Sequence, residues 1–204
     1  FPDAGGSWVL KNLALPVAAF LGLTDSQLNA RDALQLGIGT HVIDHESRHE
    51  LVERLLALPW AMRAEQDNAE LIEQLLSSVH TEPSDLENEL AALPDWQVTV
   101  DDLLATADAL SALAGATPWI DKGLANFAQG CPTTAAIVLE QLRRVPDLTL
   151  AQSFAMELSI ATRCAQLADF PEGVRALLID KDGAPNWQYP DVNAVPRDHV
   201  LSHF

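Results

Sequence analysis

The sequence has few cysteines, few positive charges and no long apolar run. Its two cysteines, Cys131 and Cys164, lie far apart among the 204 residues and form no Cys-x-x-Cys pair. Such sparse thiols argue against a disulfide-built scaffold and are typical of reduced cysteines in the cytosol. Because no stretch of about 18 uncharged apolar residues occurs, the sequence predicts no membrane-spanning helix.

The scarcity of positive charge limits the partners that the chain can have. Its 12 Lys and Arg residues face 29 Asp and Glu residues, which gives a formal net charge of −17. Because an acidic surface repels phosphate backbones and anionic lipid headgroups, we expect neither nucleic acid nor membrane as a partner. The sequence also lacks the Gly-x-Ser-x-Gly elbow of serine hydrolases, the Walker loop and the Gly-x-Gly-x-x-Gly fingerprint of nucleotide-binding proteins.

What the sequence does contain is a succession of helical patterns. Apolar residues recur at helical spacing in residues 46–58 and 65–79, and residues 149–169 are predicted to form one long helix. The best strand candidate is the short segment Thr-His-Val-Ile-Asp at residues 40–44. These patterns predict a mainly α chain with at most one short strand.

Residues that favour helix ends occur where these patterns begin and stop. Asn29 is a good N-cap for the helix that follows it, and Gly37 suits the position after its last turn. Thr133 is placed to cap a later helix, and Arg143 and Arg144 lie near that helix's end, where they suit its negative pole. We therefore expect helices to begin and end at these residues.

One short motif suggests a metal site. The sequence HESRHE, which starts at His45, matches the His-Glu-x-x-His pattern. On a helix, His45 and His49 would stand one turn apart and could share a zinc ion, with Glu46 as general base. The motif falls at the start of a predicted helix, however, where helix ends fray and solvent is near. We therefore expect no metal site in this chain.

Four stretches of the sequence carry a resemblance to a known family. They are FPDAGGSWVL, FLGLTDSQLNARDALQLGIGTHVID, CPTTAAIVLEQLRR and DFPEGVRALLIDKDGAPNW. Together they resemble the second half of enoyl-CoA hydratase/isomerase (crotonase-like) proteins, and they are most similar to the branch of 3-hydroxyisobutyryl-CoA hydrolases. The resemblance covers essentially all 204 residues. It departs at Asp25, where relatives carry glycine in a Leu-Thr-Gly turn, and aspartate tolerates such a turn.

The resemblance implies that this chain is the helical C-terminal part of an α/β spiral fold whose N-terminal half is absent. Residues 1–45 would end the spiral core, and residues 46–204 would form a helical region that covers the core or subunit contacts. Because the chain starts inside the family's Phe-Pro-Asp-x-Gly-Gly motif, we expect it to lack the half that supplies an oxyanion hole and a catalytic glutamate. Such a fragment would be inactive alone. Its protein partners would be that N-terminal half and, in a homo-oligomer, further copies.

The activity that the resemblance implies is hydrolysis of an acyl-CoA thioester. The substrate would be 3-hydroxyisobutyryl-CoA, or a similar short 3-hydroxyacyl-CoA, in valine breakdown. Coenzyme A would be part of the substrate, so no separate cofactor is expected, and the enzyme would work in the bacterial cytoplasm or the mitochondrial matrix. Two alternatives stay open. One is an enoyl-CoA hydratase or isomerase with an acid/base pair of glutamates in the N-terminal half, and the other is a non-catalytic helical assembly module.

The resemblance also implies roles for individual residues. Asp3 would be catalytic, close to the substrate hydroxyl and the attacking water, as a general base or as an anchor for the hydroxyl. The residues by themselves also fit a turn-forming aspartate before Gly5. Lys181 is the candidate for binding coenzyme A, although Asp180 and Asp182 beside it favour an ion pair.

Three arginines are the remaining positively charged residues to which the sequence assigns a role near the predicted site. Arg143 and Arg144 are the other cations available to the phosphates of coenzyme A. Arg175, in the stretch EGVRALL, is expected instead to pair with a carboxylate and so to fix the C-terminal tail.

Overall fold

The computed structural model describes residues 1–60 and 65–204, and its regular secondary structure is helical. Within these two ranges no β-strand forms. The expectation of a mainly α chain is confirmed, and the short strand predicted around Val42 was wrong. Val42 donates its N–H to Nδ1 of His80 (2.9 Å), and its C=O accepts the N–H of Thr81 (2.8 Å). Because this loop contact satisfies its polar backbone, the segment needs no partner strand.

Twelve α-helices follow one another in the described ranges. The first six are α1 (Gly6–Leu10), α2 (Leu15–Thr24), α3 (Ala30–Gln35), α4 (Arg48–Leu56), α5 (Glu65–Val79) and α6 (Glu89–Ala92). The last six are α7 (Leu103–Ser111), α8 (Pro118–Gln129), α9 (Pro132–Arg144), α10 (Leu150–Gln166), α11 (Asp169–Val174) and α12 (Arg197–Leu201). None of these described helices combines the length with the apolarity that a bilayer span needs.

The chain divides into two compact units. The larger one contains Phe1–Gln27 and Leu90–Phe204, and the smaller one is Leu28–Glu89. The smaller unit contains α3, α4 and α5, of which α4 packs on α5. The boundary predicted after residue 45 concerns the core and the helical region of a whole protein, and it stays a prediction.

The ends of α3 follow from single residues. The side chain of Asn29 accepts the N–H of Asp32 (3.0 Å), which confirms the predicted N-cap. After the last turn Gly37 is left-handed, with φ 68°, and Ile38 donates its N–H to the C=O of Ala33 (3.0 Å). This is the Schellman arrangement, which glycine favours because it has no Cβ.

Two helix ends in the larger unit differ from expectation. Pro132 occupies the first position of α9 and Cys131 is its N-cap, so Thr133 is not the cap, as was predicted. Proline fits that position because its φ is preset and the missing N–H would have no helical partner there. The hydroxyl of Thr133 donates instead to Oδ2 of Asp169 (2.8 Å). Asp169 itself opens α11, so the long helix predicted up to this residue ends earlier, as α10.

Helix α9 is the centre of the larger unit, since ten of its 13 residues are buried. Helix α2 packs on α9 and also on α8. Phe20 of α2 is fully buried, and its ring lies 4.9 Å from the ring of Trp119. Gly22 lets α2 approach α9 closely, because a Cβ at this position would lie 2.8 Å from Cγ1 of Val138. This packing fixes α9, which carries part of the site described next.

Candidate active site

Asp3 is exposed and lies in a tight turn directly before α1. The next two residues are left-handed, with φ 49° at Ala4 and φ 90° at Gly5. Gly5 is the N-cap of α1, and glycine adopts this conformation without the steric cost of a Cβ. The C=O of Asp3 accepts the N–H of Gly6 (2.6 Å), which closes the turn. Residues 2–7 are called the Asp3 turn below.

Buried side chains of two helices hold the Asp3 turn. Glu157 of α10 is 2 % exposed and accepts the N–H of Gly5 (2.7 Å) and the N–H of Ser7 (3.0 Å). It also accepts the hydroxyl of Ser7. From α9, Nε2 of Gln141 donates to the C=O of Pro2 (2.8 Å). The backbone on each side of Asp3 is therefore fixed by a helix that lies far away in the sequence.

A cavity of about 430 Å³ opens beside Asp3. Its wall is mainly apolar and comes from Phe1, α9, the end of α10, α11 and the C-terminal segment. The apolar lining includes Ile137, Leu167, Phe170, Val174, Leu177, Leu178 and Trp187. The polar side chains in the wall include Asp3, Thr133, Asp169, His199 and His203. An apolar cavity with a few polar groups suits a small organic ligand with an apolar body.

Asp169 is a second carboxylate in the cavity wall, and hydrogen bonds occupy both of its oxygens. Its Oδ2 accepts the hydroxyl of Thr133 (2.8 Å) and the thiol of Cys131 (3.4 Å). Its Oδ1 accepts the N–H of Gln188 (2.7 Å). Asp169 thus joins α9, α11 and the C-terminal segment, whereas no described residue donates a hydrogen bond to the side chain of Asp3.

The thiols and one imidazole in the cavity wall are uncharged. Burial raises the pKa of the Cys131 thiol, and burial likewise raises the pKa of Cys164. Because the thiolate is the reactive form, these buried thiols are poor nucleophiles near neutral pH. Burial and the neighbouring His203 lower the pKa of His199, so that this imidazole is neutral at pH 7. A neutral imidazole can accept a proton, so His199 as well as Asp3 offers a basic group in the cavity wall.

Arg175 folds the C-terminal segment back on itself. Its guanidinium bonds the carboxylates of Glu172 (2.8 Å), Asp180 (2.7 Å) and Asp182 (2.7 Å). It also donates to the C=O of Ala184 (3.2 Å). The prediction that Arg175 pairs with a carboxylate to fix the tail is confirmed. This arginine and its three carboxylates are called the Arg175 clasp below.

We expect acid to open the Arg175 clasp. Hydrogen bonds from Arg175, and then from the N–H of Asn186, lower the pKa of Glu172 from 4.5 to about 2. A carboxylate whose pKa is lower in the folded chain than in the unfolded chain stabilises the fold at pH values above its unfolded pKa. This stabilisation is lost as the pH falls through the folded pKa. Trp187 directly follows Asn186, and its indole N–H donates to the C=O of Gln129 (3.2 Å). The NMR signal of this indole N–H should shift between pH 4.5 and 2.

A variant that removes the arginine should give the same change at neutral pH. With Arg175→Gln, we expect the Trp187 signal at pH 7 to take the position that the native chain reaches only in acid. The matched control is Arg163→Gln, because Arg163 is an exposed arginine that bonds Gln166 of its own helix (3.2 Å). A Trp187 signal unmoved by Arg175→Gln would contradict the role of the clasp.

Lys181, the residue predicted to bind coenzyme A, lies in the loop after the π-helical turn Arg175–Ile179 that follows α11. It is exposed and left-handed, with φ 55°. Among the described residues, it is not one of those that line the cavity. Its neighbours Asp180 and Asp182 are bound by Arg175. A role of Lys181 toward coenzyme A stays a prediction.

Arg143 and Arg144, the other candidate cations, both bind one buried carboxylate. Nε of each donates to Glu140 (2.8 and 2.6 Å), which is 3 % exposed. Burial opposes the ionisation of Glu140, but the hydrogen bonds and charges of the two arginines outweigh it and lower its pKa. Because they neutralise this carboxylate, the arginines offer less charge to a polyanionic ligand.

The His-Glu-x-x-His sequence does not lie on one continuous α-helix. His45 begins a 3₁₀ turn, and His49 lies in the first turn of α4. In the part of the chain that the structure describes, no group of three or more His, Cys, Asp or Glu side chains could hold a metal ion. The histidines of this motif are therefore not gathered into a ligand set there.

Glu157 and Gln141, the two residues that hold the Asp3 turn, were not predicted from the sequence. A signal existed in α10, where Ser153, Glu157 and Ile160 are buried at helical spacing. A carboxylate on the buried face of a helix indicates a hydrogen-bonding role, because a buried charge without partners is costly. The pattern of α10 does not identify the partner of Glu157, since Glu157 and Ser7 are 150 residues apart.

The comparison with protein-family models identifies the family to which this chain belongs. The sequence model of the enoyl-CoA hydratase/isomerase family matches residues 1–204, which is the whole chain. The chain therefore belongs to the enoyl-CoA hydratase/isomerase family, as the resemblance implied.

Individual relatives agree with the hydrolase branch. The chain is 31 % identical over 209 residues to a protein of Homo sapiens and 30 % identical over 208 residues to one of Rattus norvegicus. Both relatives are named mitochondrial 3-hydroxyisobutyryl-CoA hydrolase. Each match covers 100 % of this chain and 52 % of the relative. The chain thus spans about half the length of these relatives.

Solved structures show the same partial coverage. An enoyl-CoA hydratase from Rhodobacter sphaeroides is 26 % identical with a TM-score of 0.69, and the match covers 99 % of this chain and 55 % of that one. A carnitinyl-CoA dehydratase from Mycobacterium thermoresistibile has a TM-score of 0.77 at 20 % identity, over 100 % of this chain and 55 % of that one, which shows likeness of fold alone. The predicted fold class is confirmed.

Proposed function

We propose that this chain is the helical C-terminal part of an acyl-CoA thioester hydrolase acting on 3-hydroxyisobutyryl-CoA, or a similar short 3-hydroxyacyl-CoA, in valine breakdown. The observation that carries the proposal is the exposed Asp3 beside an apolar cavity of about 430 Å³. The names of the two hydrolase relatives support the substrate class. In the whole protein, an N-terminal half would supply the oxyanion hole.

The proposed reaction adds water to a thioester and then releases the thiol. The water oxygen attacks the carbonyl carbon while Asp3 takes one proton from it, and the carbonyl oxygen becomes an oxyanion. Collapse of this intermediate breaks the C–S bond, and the proton held by Asp3 passes to the departing sulfur. The products are a carboxylic acid and coenzyme A. In its alternative role, Asp3 would accept a hydrogen bond from the substrate's 3-hydroxyl.

A hydratase is the second candidate, and the likeness to the enoyl-CoA hydratase from Rhodobacter sphaeroides favours it. Hydration of a carbon–carbon double bond needs proton transfer to one carbon as well as activation of water at the other. In this alternative both groups would be glutamates of the N-terminal half, so Asp169, whose two oxygens already accept hydrogen bonds, would take no part. A hydrolase needs one base from this chain, and Asp3 meets that need.

The test compares this chain alone with the chain joined to the N-terminal half of the protein that contains it. We expect the joined protein to release thiol from 3-hydroxyisobutyryl-CoA and the chain alone to release none, because the proposal places the oxyanion-hole donors in the N-terminal half. Thiol release is followed with a thiol reagent, and hydration of an enoyl-CoA is followed in parallel by the loss of enoyl absorbance. Turnover by the chain alone, or enoyl hydration without thiol release, would contradict the proposal. Association of the halves without either activity would favour the assembly module.

A further inference from the structure

Glu157 stands out because it is a buried carboxylate whose hydrogen-bond partners, among residues 1–60 and 65–204, all lie in the Asp3 turn. One of its oxygens accepts the N–H of Gly5, and the other accepts the N–H and the hydroxyl of Ser7. By contrast Glu140, a carboxylate buried to a similar extent, accepts hydrogen bonds from two arginines and lies 3.8 Å from a third, Arg197. The charge of Glu157 is thus balanced by donors of the turn that carries the proposed catalytic residue.

The Asp3 turn needs such a partner because of its backbone. The N–H groups in the first turn of a helix have no acceptor within the helix, and α1 is only five residues long. The N–H of Gly6 goes to the C=O of Asp3, and the N–H groups on either side of it, at Gly5 and Ser7, go to Glu157. These three bonds account for the start of α1. They tie the main chain of Asp3 to α10.

We propose that Glu157 is a positioning residue that fixes the Asp3 carboxylate for the attack of water on the thioester, an inference that rests on the function proposed above. A carboxylate matches three donors, whereas the amide of a glutamine would turn an N–H toward one of them. Replacing Glu157 by glutamine therefore loosens the turn and moves Asp3. A misplacement of about 1 Å at a reacting group can cost about 10²-fold in rate.

The test is a double-mutant cycle in the joined, full-length protein. The kcat and KM of thiol release are measured at steady state for the native protein, Glu157→Gln, Asp3→Asn and the double variant, and single-turnover rate constants are added for the slow variants. We expect Glu157→Gln to lower kcat about 10- to 100-fold, with KM changed less than about twofold. In the Asp3→Asn background, the same substitution should cost less than about twofold, because it acts through Asp3.

The outcomes separate the inference from the function on which it rests. If Asp3→Asn leaves both kcat and KM unchanged, the function proposed for Asp3 fails, whatever Glu157 does. If Asp3→Asn lowers kcat but Glu157→Gln costs nothing, or costs the same factor in both backgrounds, Glu157 is structural and the inference is overturned. Glu140→Gln is the matched control, a buried glutamate outside the cavity wall, whose effect should be equal in both backgrounds. If Glu157→Gln does not fold, Ser7→Ala removes one of its donors and is measured in the same cycle.

Discussion

Asp3→Asn is expected to lower kcat for thioester hydrolysis at least about tenfold, and roughly 10²- to 10⁴-fold when Asp3 is the general base. Asparagine keeps the size of the side chain but cannot accept a proton at neutral pH. The measurement is steady-state thiol release from 3-hydroxyisobutyryl-CoA by the full-length protein. A hydroxyl anchor would instead show mainly a raised KM, because asparagine still offers the 3-hydroxyl an oxygen.

Asp3→Asn tests the side chain of Asp3 alone, because the hydrogen bond that holds its turn is made by its main chain. Its C=O accepts the N–H of Gly6, and asparagine keeps that carbonyl. The matched control is Asp25→Asn, since Asp25 is an exposed aspartate at the left-handed C-cap of α2, with φ 52°. We expect kcat to be unchanged in this control. An Asp3→Asn protein with native kcat and KM would remove Asp3 from the site.

The second large effect is on stability, where Phe20→Ala should lower the free energy of unfolding by about 3–5 kcal/mol. Phe20 is fully buried in α2, and its ring lies 4.9 Å from that of Trp119. A Cβ added at Gly123 would lie 3.1 Å from Cζ of Phe20, so the ring fills its site closely. Truncation therefore leaves a cavity whose walls are helices that cannot easily collapse. Urea unfolding followed by far-UV circular dichroism measures the change.

An exposed apolar residue gives the control for this loss. Leu158 on α10 is 68 % exposed, so Leu158→Ala should change the free energy of unfolding by about 0.5 kcal/mol or less. Equal losses in the two variants would mean that α2 is not packed as described. They would also weaken the account of α9, because α2 packs directly on it.

The parts of the fold that the sequence predicted well are those determined by neighbouring residues. Asn29 and Gly37 are correct ends for α3, because capping acts over three or four positions. The helical pattern at residues 65–79 became α5 with the predicted bounds. Arg175 was also predicted correctly, since its carboxylate partners lie within seven residues of it.

Predictions were wrong where a distant residue decides the outcome. Thr133 looks like a cap in its local sequence, but Asp169 takes its hydroxyl and Pro132 starts the helix earlier. The segment around Val42 has strand-like side chains, but His80 satisfies its backbone. Glu157 was missed for the same reason, because no local pattern can name a partner so far along the chain.

The distance between Glu157 and the Asp3 turn also sets the order of events when the protein is made. Its bonds to Gly5 and Ser7 span 152 and 150 positions, so closing them carries the entropy cost of a very long loop. A ribosome that adds 5–20 residues per second needs roughly 8–30 s to reach α10 after making Asp3. Until then the N–H groups of Gly5 and Ser7 lack their glutamate acceptor. The proposed catalytic residue is therefore made well before the glutamate that holds its turn.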